Sequence, residues 1–590
     1  MTTLSNREIA DLFETTADML EIRGDVIHRV LSYRRAAETV RDLPRDLHAI
    51  AAEGGLEDLP HIGKTLAAKI TEMLETGRLE FYDRLAQEIP PGLVEVMRVN
   101  GVGPKKARLF WQQLEITDLA QLEAAARAGR LRELPGMGAK SEQKVIQGIE
   151  ALARQTGRAP LGVALPAAQA ILDLLLALPQ AVEGAVAGSI RRGRPTIGDV
   201  DLLVASIDAA PIMAYFVAME NVARVLGHGP TKSSVELLNG LQVDLRVLEP
   251  ARWGTALSYF TGSKEHNVRL REIALRQGFS LNEHAFSPVD AAGSVVEAAP
   301  KILCATEEAV YAQVGLPWIA PELREDSGEI EAAQAGRLPR LITLADMRAD
   351  LHMHTTWSDG TLSVREMAAA ARARGRQYIV ITDHSQYSAI ANGLSVERIM
   401  QQQEEVRRVD ADMGPGFRVF HGVELDIRAD GELDYPDDVL ARLDFVIASL
   451  HYSLRQDRAQ ITRRLLNAIS SPHVDLIGHP RAQYIPDREP VDADLDAVFA
   501  AAAQHGTALE INSNPRRLDL EAQYARRAVE LGIPLAINTD AHSADQLDLL
   551  SFGVITARRG WVEAHSVLNT WPVERFAAWL DSRGKQRHAP

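Results

Sequence analysis

Apolar positions along the first 155 residues recur at helical spacing and are broken by short glycine-bearing turns, which predicts helix after helix. The rhythm changes near residue 182. From there, apolar runs of strand length such as VEGAV (182–186), VDLLVAS (200–206) and LQVDLRVL (241–248) alternate with helical stretches. Residues 320–345 turn polar and read as a linker. Beyond it, seven short apolar runs follow at a regular interval with helical stretches between them, the βα pattern of a barrel. The predicted architecture is multidomain α/β. Its parts are a small helical domain (1–85), a second helical region of hairpins (86–158), a domain with a mixed β-sheet (159–250), a small α+β domain (251–319), the linker (320–345) and the barrel (346–590).

Composition agrees with several folded domains: 590 residues, 46% hydrophobic and 24% charged, against a usual domain of ~150 residues. The single cysteine, Cys304, excludes a disulfide framework and a thiolate zinc site within the chain. No apolar run reaches the ~18 residues that span a bilayer. The start, MTTLSNREIADLFETTADMLEIRG, carries acids where a secretory signal needs a basic end. A cytoplasmic protein without membrane attachment is expected, and a monomer.

The formal charge of −16 argues against a global basic field for nucleic acid, but it is unevenly spread. Residues 1–160 hold 22 Lys/Arg against 24 Asp/Glu, whereas residues 341–590 hold 27 against 35. Any DNA contact must therefore come from local donors.

Three such places recur in the helical region: LPHIGKTLAAKI (59–70), VNGVGPKKARLF (99–110) and LPGMGAKSEQKVI (134–146). Each is a helix end, a tight turn and a new helix start. Glycines (Gly63, Gly101, Gly103, Gly136, Gly138) let the turn take positive φ and let a phosphate backbone come close. The helix start then offers free N–H groups and a positive dipole end, and a lysine follows each turn (Lys64, Lys105, Lys106, Lys140). Contacts of this kind carry no base information. The three copies resemble helix-hairpin-helix motifs of DNA repair proteins; the first departs, with His61 where a glycine is usual.

The segment VEGAVAGSIRRGRPTIGDVDLLVAS (182–206) ends an apolar strand in Gly188-Ser189, passes a basic turn and reaches Gly198-Asp199-Val200-Asp201. Alternate residues of a strand share a face, so Asp199 and Asp201 point together, and Asp244 in LQVDLRVLEP lies on a strand that can pair alongside. Adjacent aspartates repel and are costly in a strand unless a cation sits between them. Three carboxylates suit a pair of Mg²⁺ (or Mn²⁺) ions, which can acidify an attacking 3′-hydroxyl and steady a leaving pyrophosphate. Ser189 and Arg192 are placed for a triphosphate, since the guanidinium fork matches phosphate oxygens.

These residues resemble the nucleotidyltransferase superfamily. The later stretch SYFTGSKEHN (258–267), followed by VRLREIALRQGF, resembles the thumb of family X DNA polymerases. The resemblance makes 86–158 the fingers, 159–250 the palm and 251–319 the thumb. It implies catalysis by Asp199, Asp201 and Asp244, and nucleotide binding by Gly188, Ser189, Arg192, Gly198, Tyr259, Phe260, Gly262 and Asn267. Tyr259 and Phe260 would stand against the incoming sugar, Asn267 at the base and Arg271 on the template strand. Residues 21–46 resemble the family's small N-terminal domain, with His28, Arg29 and Tyr33 matching positions that bind the 5′-phosphate of a gap. Lys69 matches a lysine that in some members forms a Schiff base with an abasic sugar. Glu57 and Thr65 stand where lyase-active relatives carry basic residues, and a solvated helix-face lysine is the preferred reading of Lys69.

In the barrel, the strand runs end in MRADLHMHTTWSDG, YIVITDHS, FRVFHGVELDI, FVIASLH, DLIGHP, ALEINSN and PLAINTDAH. Nine polar residues fall at or just past six of these seven ends: His352, His354, Asp359, His384, Glu424, His451, His479, Asp540 and His542. The carboxyl face of a barrel is where active sites are built. Packing nine such groups together without cations would be prohibitive, and imidazole with carboxylate suits two or three Zn²⁺, Mn²⁺ or Fe ions. The arrangement resembles the polymerase-and-histidinol-phosphatase (PHP) domain, a distorted seven-stranded barrel, with all nine ligand positions filled.

The resemblance implies DNA-directed filling of short gaps in base-excision repair, with a PHP phosphoesterase giving 3′→5′ exonuclease, 3′-phosphatase and abasic-site endonuclease action. The implied partners are gapped or nicked DNA with a 5′-phosphate and deoxynucleoside triphosphates. A small-metabolite phosphatase would need neither the three hairpins nor the thumb segment. A non-catalytic DNA-end scaffold would not need three clustered aspartates.

Overall fold

The computed structural model describes residues 4–583 apart from Asp42, Pro44, Asn100 and 155–157, and the chain forms two compact units, 1–157 and 158–590. Asn100 of the second hairpin turn thus lies outside the described residues.

The first unit is all-helical. Its opening helix Asn6–Arg23 starts on a capping box between Ser5 and Glu8 and packs on the helix Ile27–Arg41. Helices Lys64–Thr76, Pro104–Leu114 and Ala139–Arg154 each follow one of the three glycine turns. A single apolar core, from Ile9 and Phe13 through Phe110 to Ile149, runs through the whole unit.

The second unit contains a five-stranded mixed sheet in the order Glu183–Val186, Val200–Ala205, Gln242–Leu248, Lys232–Leu237, Val222–His228. Only the pair Val200–Ala205 and Gln242–Leu248 is parallel, and it aligns Asp201 with Asp244. Val200, Leu202 and Val243 point into the core beneath, as the alternation predicts. Helices Trp253–Thr261 and Lys264–Arg276 and the hairpin Phe279–Leu281/Phe286–Pro288 follow.

The segment 320–345, expected from its polar composition as a linker, is built into the structure. Arg324 is fully buried and donates to Glu307 Oε1 at 2.6 Å, and Glu329 is buried against His266. Its buried charges pair with groups from other segments, so polarity here marks buried ion pairs as much as solvent.

The barrel has seven parallel strands in sequence order: Ala349–Asp350, Tyr378–Ile381, Arg418–Asp426, Phe445–Ser449, Leu476–Ile477, Ala508–Asn512 and Leu535–Asn538. Each predicted run holds one of them. The ring closes where Met353 bridges Ala541 and the His354 amide donates to the Ala541 carbonyl at 2.8 Å. The strands are buried on both faces, as parallel strands require.

Candidate active sites

In the helical unit, Gly63 and Gly103 occupy the N-cap positions of their helices and offer no side-chain cap, so first-turn N–H groups stay open. A Cβ at Gly63, Gly101, Gly103, Gly136 or Gly138 would meet nothing within 4 Å, and Lys64, Lys105 and Lys140 are exposed beside the turns. Gly101 and Gly136 take positive φ; His61 holds the matching place in the first turn at φ 62°, so that turn keeps its shape without glycine.

Arg29, Tyr33 and Lys69 come together around Phe81, an aromatic the sequence reading passed over. Tyr33 stacks on its ring at 5.9 Å, while Arg29 and Lys69 lie 4.9 and 4.4 Å from its centroid. His28 is exposed on the same helix. Burial pushes the Lys69 ammonium below its ordinary pKa.

The palm cleft encloses about 460 Å³ and is lined by Gly188, Ser189, Arg192, Gly198, Asp199, Asp201, Tyr259, Phe260, Gly262, Asn267 and Arg271, with Arg158 and Lys264 added. Tyr259 and Phe260 meet edge to face at 5.2 Å, and Asn267 Nδ2 donates to the Tyr259 carbonyl at 2.7 Å. Asp244 does not line the cleft; its carboxylate accepts from Gln242 at 3.0 Å and lies 3.3 Å from Lys232 Nζ. Among the described residues none donates a hydrogen bond to the Asp201 carboxylate. Burial and then the charges of Asp199 and Asp244 push its pKa up to about 7. A half-buried carboxylate with no donor among the described residues, beside two others, is the chemistry of a divalent-cation site with hard oxygen ligands. Lys232 and Arg246 were missed. Arg246 shares the strand face of Asp244 by the same i+2 alternation that picked out the aspartates, and sits 4.3 Å over the Phe260 ring.

The barrel cluster is tighter. Three groups have ligand atoms all within 4.8 Å of one another: His354, Asp359, His384 and His542; His352, His354, Glu424 and Asp540; and His384, Glu424 and His451. Glu424 belongs to two of the three and lies 2.9 Å from His479 Nε2, 3.0 Å from His384 Nδ1 and 3.2 Å from His451 Nε2. Four buried ring nitrogens, His352 Nε2, His354 Nδ1, His384 Nδ1 and His479 Nδ1, have no hydrogen-bond partner among the described residues. Orphaned nitrogens on imidazole rings gathered around carboxylates fit metal ligation. Without a cation the charges are poorly matched. Burial and the neighbouring His542 and His384 press His354 down to about 3, whereas His451, which burial alone would lower, is lifted to about 10 by Glu424 and Asp426.

The strand that supplies no ligand, Ala508–Asn512, supports those that do. Glu510 Oε1 lies 2.8 Å from His352 Nδ1 and accepts from Asn538 at 2.9 Å, while Asn512 donates to Asp540 at 3.1 Å. Asp426 holds His451 Nδ1 at 2.9 Å. Such partners fix the ring orientation of ligating histidines. The signal for Glu510 and Asn512 was their alternation at an inward-facing strand end. Arg517, outside any strand, reaches 3.6 Å from Asp540 and lines the barrel cleft of about 350 Å³ with Tyr452 and Ser388.

Family models match four stretches: a helix-hairpin-helix domain (4–79), a SAM-like helix-hairpin-helix tandem (93–151), a DNA polymerase beta thumb (256–325) and a PHP domain (350–514). The chain is 38% identical over 579 residues to the DNA polymerase/3′-5′ exonuclease PolX of Bacillus subtilis, covering 98% of this chain and 99% of that one. DNA polymerase lambda of Rattus norvegicus is 26% identical over 347 residues, 54% of this chain and 56% of its own. A probable phosphatase of Thermoanaerobacter sp. is 30% identical over 233 residues, 38% of this chain and 89% of its own.

Proposed function

Because the chain belongs to the family X DNA polymerases that carry a C-terminal PHP domain, we propose that it fills short gaps in DNA at the palm and trims or cleans the 3′ end at the barrel. The observation that carries this reading is the presence in one chain of two separate clusters, an aspartate cluster in the palm and a histidine–carboxylate cluster in the barrel.

At the palm, Asp199, Asp201 and Asp244 would hold Mg²⁺ or Mn²⁺. Ser189 and Arg192 bind the triphosphate, Tyr259 and Phe260 face the sugar, and Asn267 and Arg271 meet base and template. At the barrel, His352, His354, Asp359, His384, Glu424, His451, His479, Asp540 and His542 would hold two or three Mn²⁺, Zn²⁺ or Fe ions. When bound, the palm ions supply charge neutralisation for phosphoryl transfer and the barrel ions a hydroxide near neutral pH. The hairpin glycines and Lys64, Lys105 and Lys140 grip the phosphate backbone, and His28, Arg29 and Tyr33 receive a 5′-phosphate. Lys69 packs on the Phe81 ring that Arg29 and Tyr33 also meet, so we assign it to that phosphate pocket rather than to lyase chemistry.

Base-excision repair is the process we infer, with the enzyme acting as a cytoplasmic monomer. Similarity of the barrel to a probable phosphatase supports removal of a 3′-phosphate as well as a 3′ nucleotide, and abasic-site cleavage belongs to the same hydrolytic chemistry. The test is a labelled primer facing a one-nucleotide gap with a 5′-phosphate, with nucleotides and Mg²⁺ or Mn²⁺. The primer should grow by one residue when nucleotides are present and shorten when they are withheld. A protein that does neither, yet hydrolyses small phosphomonoesters, would overturn the reading.

A further inference from the structure

The phosphate loop of the palm is seated on the barrel. Gly193 takes φ 67°, and a Cβ there would overlap Ile555 on the barrel helix Leu550–Arg559. Leu518 and Phe552 of the barrel are part of the palm's apolar core. At the end of that helix Arg559 Nη1 donates to the Arg192 carbonyl at 2.6 Å and to Glu325 Oε1 at 2.8 Å. Glu325 also accepts from Arg192 Nε at 3.1 Å and from Arg194 Nη2 at 3.0 Å. Burial alone would raise the Glu325 pKa, but the guanidinia of Arg559, Arg194 and Arg192 hold it at about 2, so it is an anion at neutral pH. Arg192 Nη1 donates to the Thr261 carbonyl at 2.6 Å, and neither this bond nor the one from Nε uses Nη2. The side chain is thus anchored at two of its three nitrogens, Nε and Nη1, while the residue lines the palm cleft. A guanidinium fixed in advance binds phosphate without first having to be ordered.

We infer that Arg559, a barrel residue, is a positioning residue for nucleotide binding in the palm: through Glu325 and the Arg192 main chain it holds the Arg192 fork ready for a triphosphate. The inference rests on the palm reading above. It gives the barrel a task separate from its metal centre.

The measurement is steady-state incorporation into a one-nucleotide gap by the full chain with Mg²⁺ while the nucleotide is titrated. DNA affinity and Mn²⁺-dependent shortening of a labelled 3′ end are followed in parallel. Arg559→Met should raise KM for the nucleotide about tenfold, the worth of one charge-assisted contact, and leave kcat, DNA affinity and shortening nearly unmoved. Arg559→Lys, which keeps the cation, should fall between. Arg558→Met is the control: Arg558 donates to Glu322 at 2.6 Å and to the Ile342 carbonyl at 3.0 Å from the same helix without touching Arg192, so KM should not change.

An unchanged KM in Arg559→Met overturns the inference. So does an equal rise in Arg558→Met, or a joint fall of kcat and shortening with the rise in KM, which would mark a loosened fold. If Arg559→Met does not fold, the Arg559→Lys KM decides on the same terms. A wild type that shortens DNA but never incorporates a nucleotide ends the palm reading and this inference together, whereas normal incorporation with an unmoved variant KM ends this inference alone.

Discussion

Asp201 and Asp244 stand at the same register on neighbouring parallel strands, and the loop that follows the edge strand brings Gly188 directly against Asp201. Gly188 takes φ 59°, and an added Cβ would overlap the Asp201 carboxylate. The loop and the carboxylates are therefore one device.

Gly188→Ala should slow nucleotide incorporation about 10- to 100-fold. The substitution adds roughly 1–3 kcal/mol of backbone strain and displaces a carboxylate, and each 1.36 kcal/mol is tenfold in rate. Single-turnover kinetics on a gapped primer checks this, with shortening of the 3′ end unchanged.

Glu307 joins the palm loop to the thumb. It accepts from Arg191 at 2.8 Å, Arg324 at 2.6 Å and Trp318 Nε1 at 3.1 Å. Burial alone would raise its pKa, but Arg191 and Arg324 lower it to about 2 from an ordinary 4.5. A depressed carboxyl pKa stabilises the fold above the ordinary value, and that stability is lost as pH falls toward the folded one. Glu307→Gln leaves Arg324 buried without its counter-charge, so it should cost about 3 kcal/mol at neutral pH. Denaturant unfolding should show that gap constant above pH ~5 and narrowing between about 4.5 and about 2.

The second hairpin can be tested without disturbing the fold. Gly103 has φ −97°, which any residue adopts, and a Cβ there meets only open space. Gly103→Ala should leave Tm unchanged or slightly raised, since alanine restricts the unfolded chain. Affinity for nicked DNA should nevertheless fall several-fold, because the methyl stands where a phosphate must approach the helix start. Fluorescence anisotropy against salt concentration measures it.

Glu510 supports two candidate ion ligands: it lies 2.8 Å from His352 Nδ1, the nitrogen that points away from Glu424, and accepts from the His479 amide at 2.7 Å. Glu510→Gln should weaken Mn²⁺ binding to the barrel about 10- to 100-fold, as loss of such a supporting partner generally does. Isothermal titration of the full chain with Mn²⁺ reports this, while primer extension with Mg²⁺ stays unchanged.

Both centres were legible in the sequence because their chemistry is written in local spacing. D-x-D on a strand and histidines at strand ends announce themselves by residue type, and the seven strand runs announce the barrel by interval. What escaped was chemistry assembled by tertiary contact. Glu510 and Arg246 lie on strand faces that alternation could have assigned, but each looks ordinary alone. Phe81 gains meaning only when Arg29 and Lys69 fold over it. Residues 320–345 misled for a physical reason: Arg324, Glu325 and Glu329 are polar because they neutralise partners from distant segments, and composition does not distinguish a buried charge with a partner from a solvated one.

The central claim is that one chain joins phosphodiester bonds at one cation-holding site and cuts them at another. Asp201→Asn and His354→Ala, compared on the same labelled gapped substrate with Mn²⁺ and nucleotides, test it most directly. Asp201→Asn should shorten the primer and never lengthen it, and His354→Ala should lengthen it and never shorten it. Loss of both activities in either folded variant would contradict separate sites.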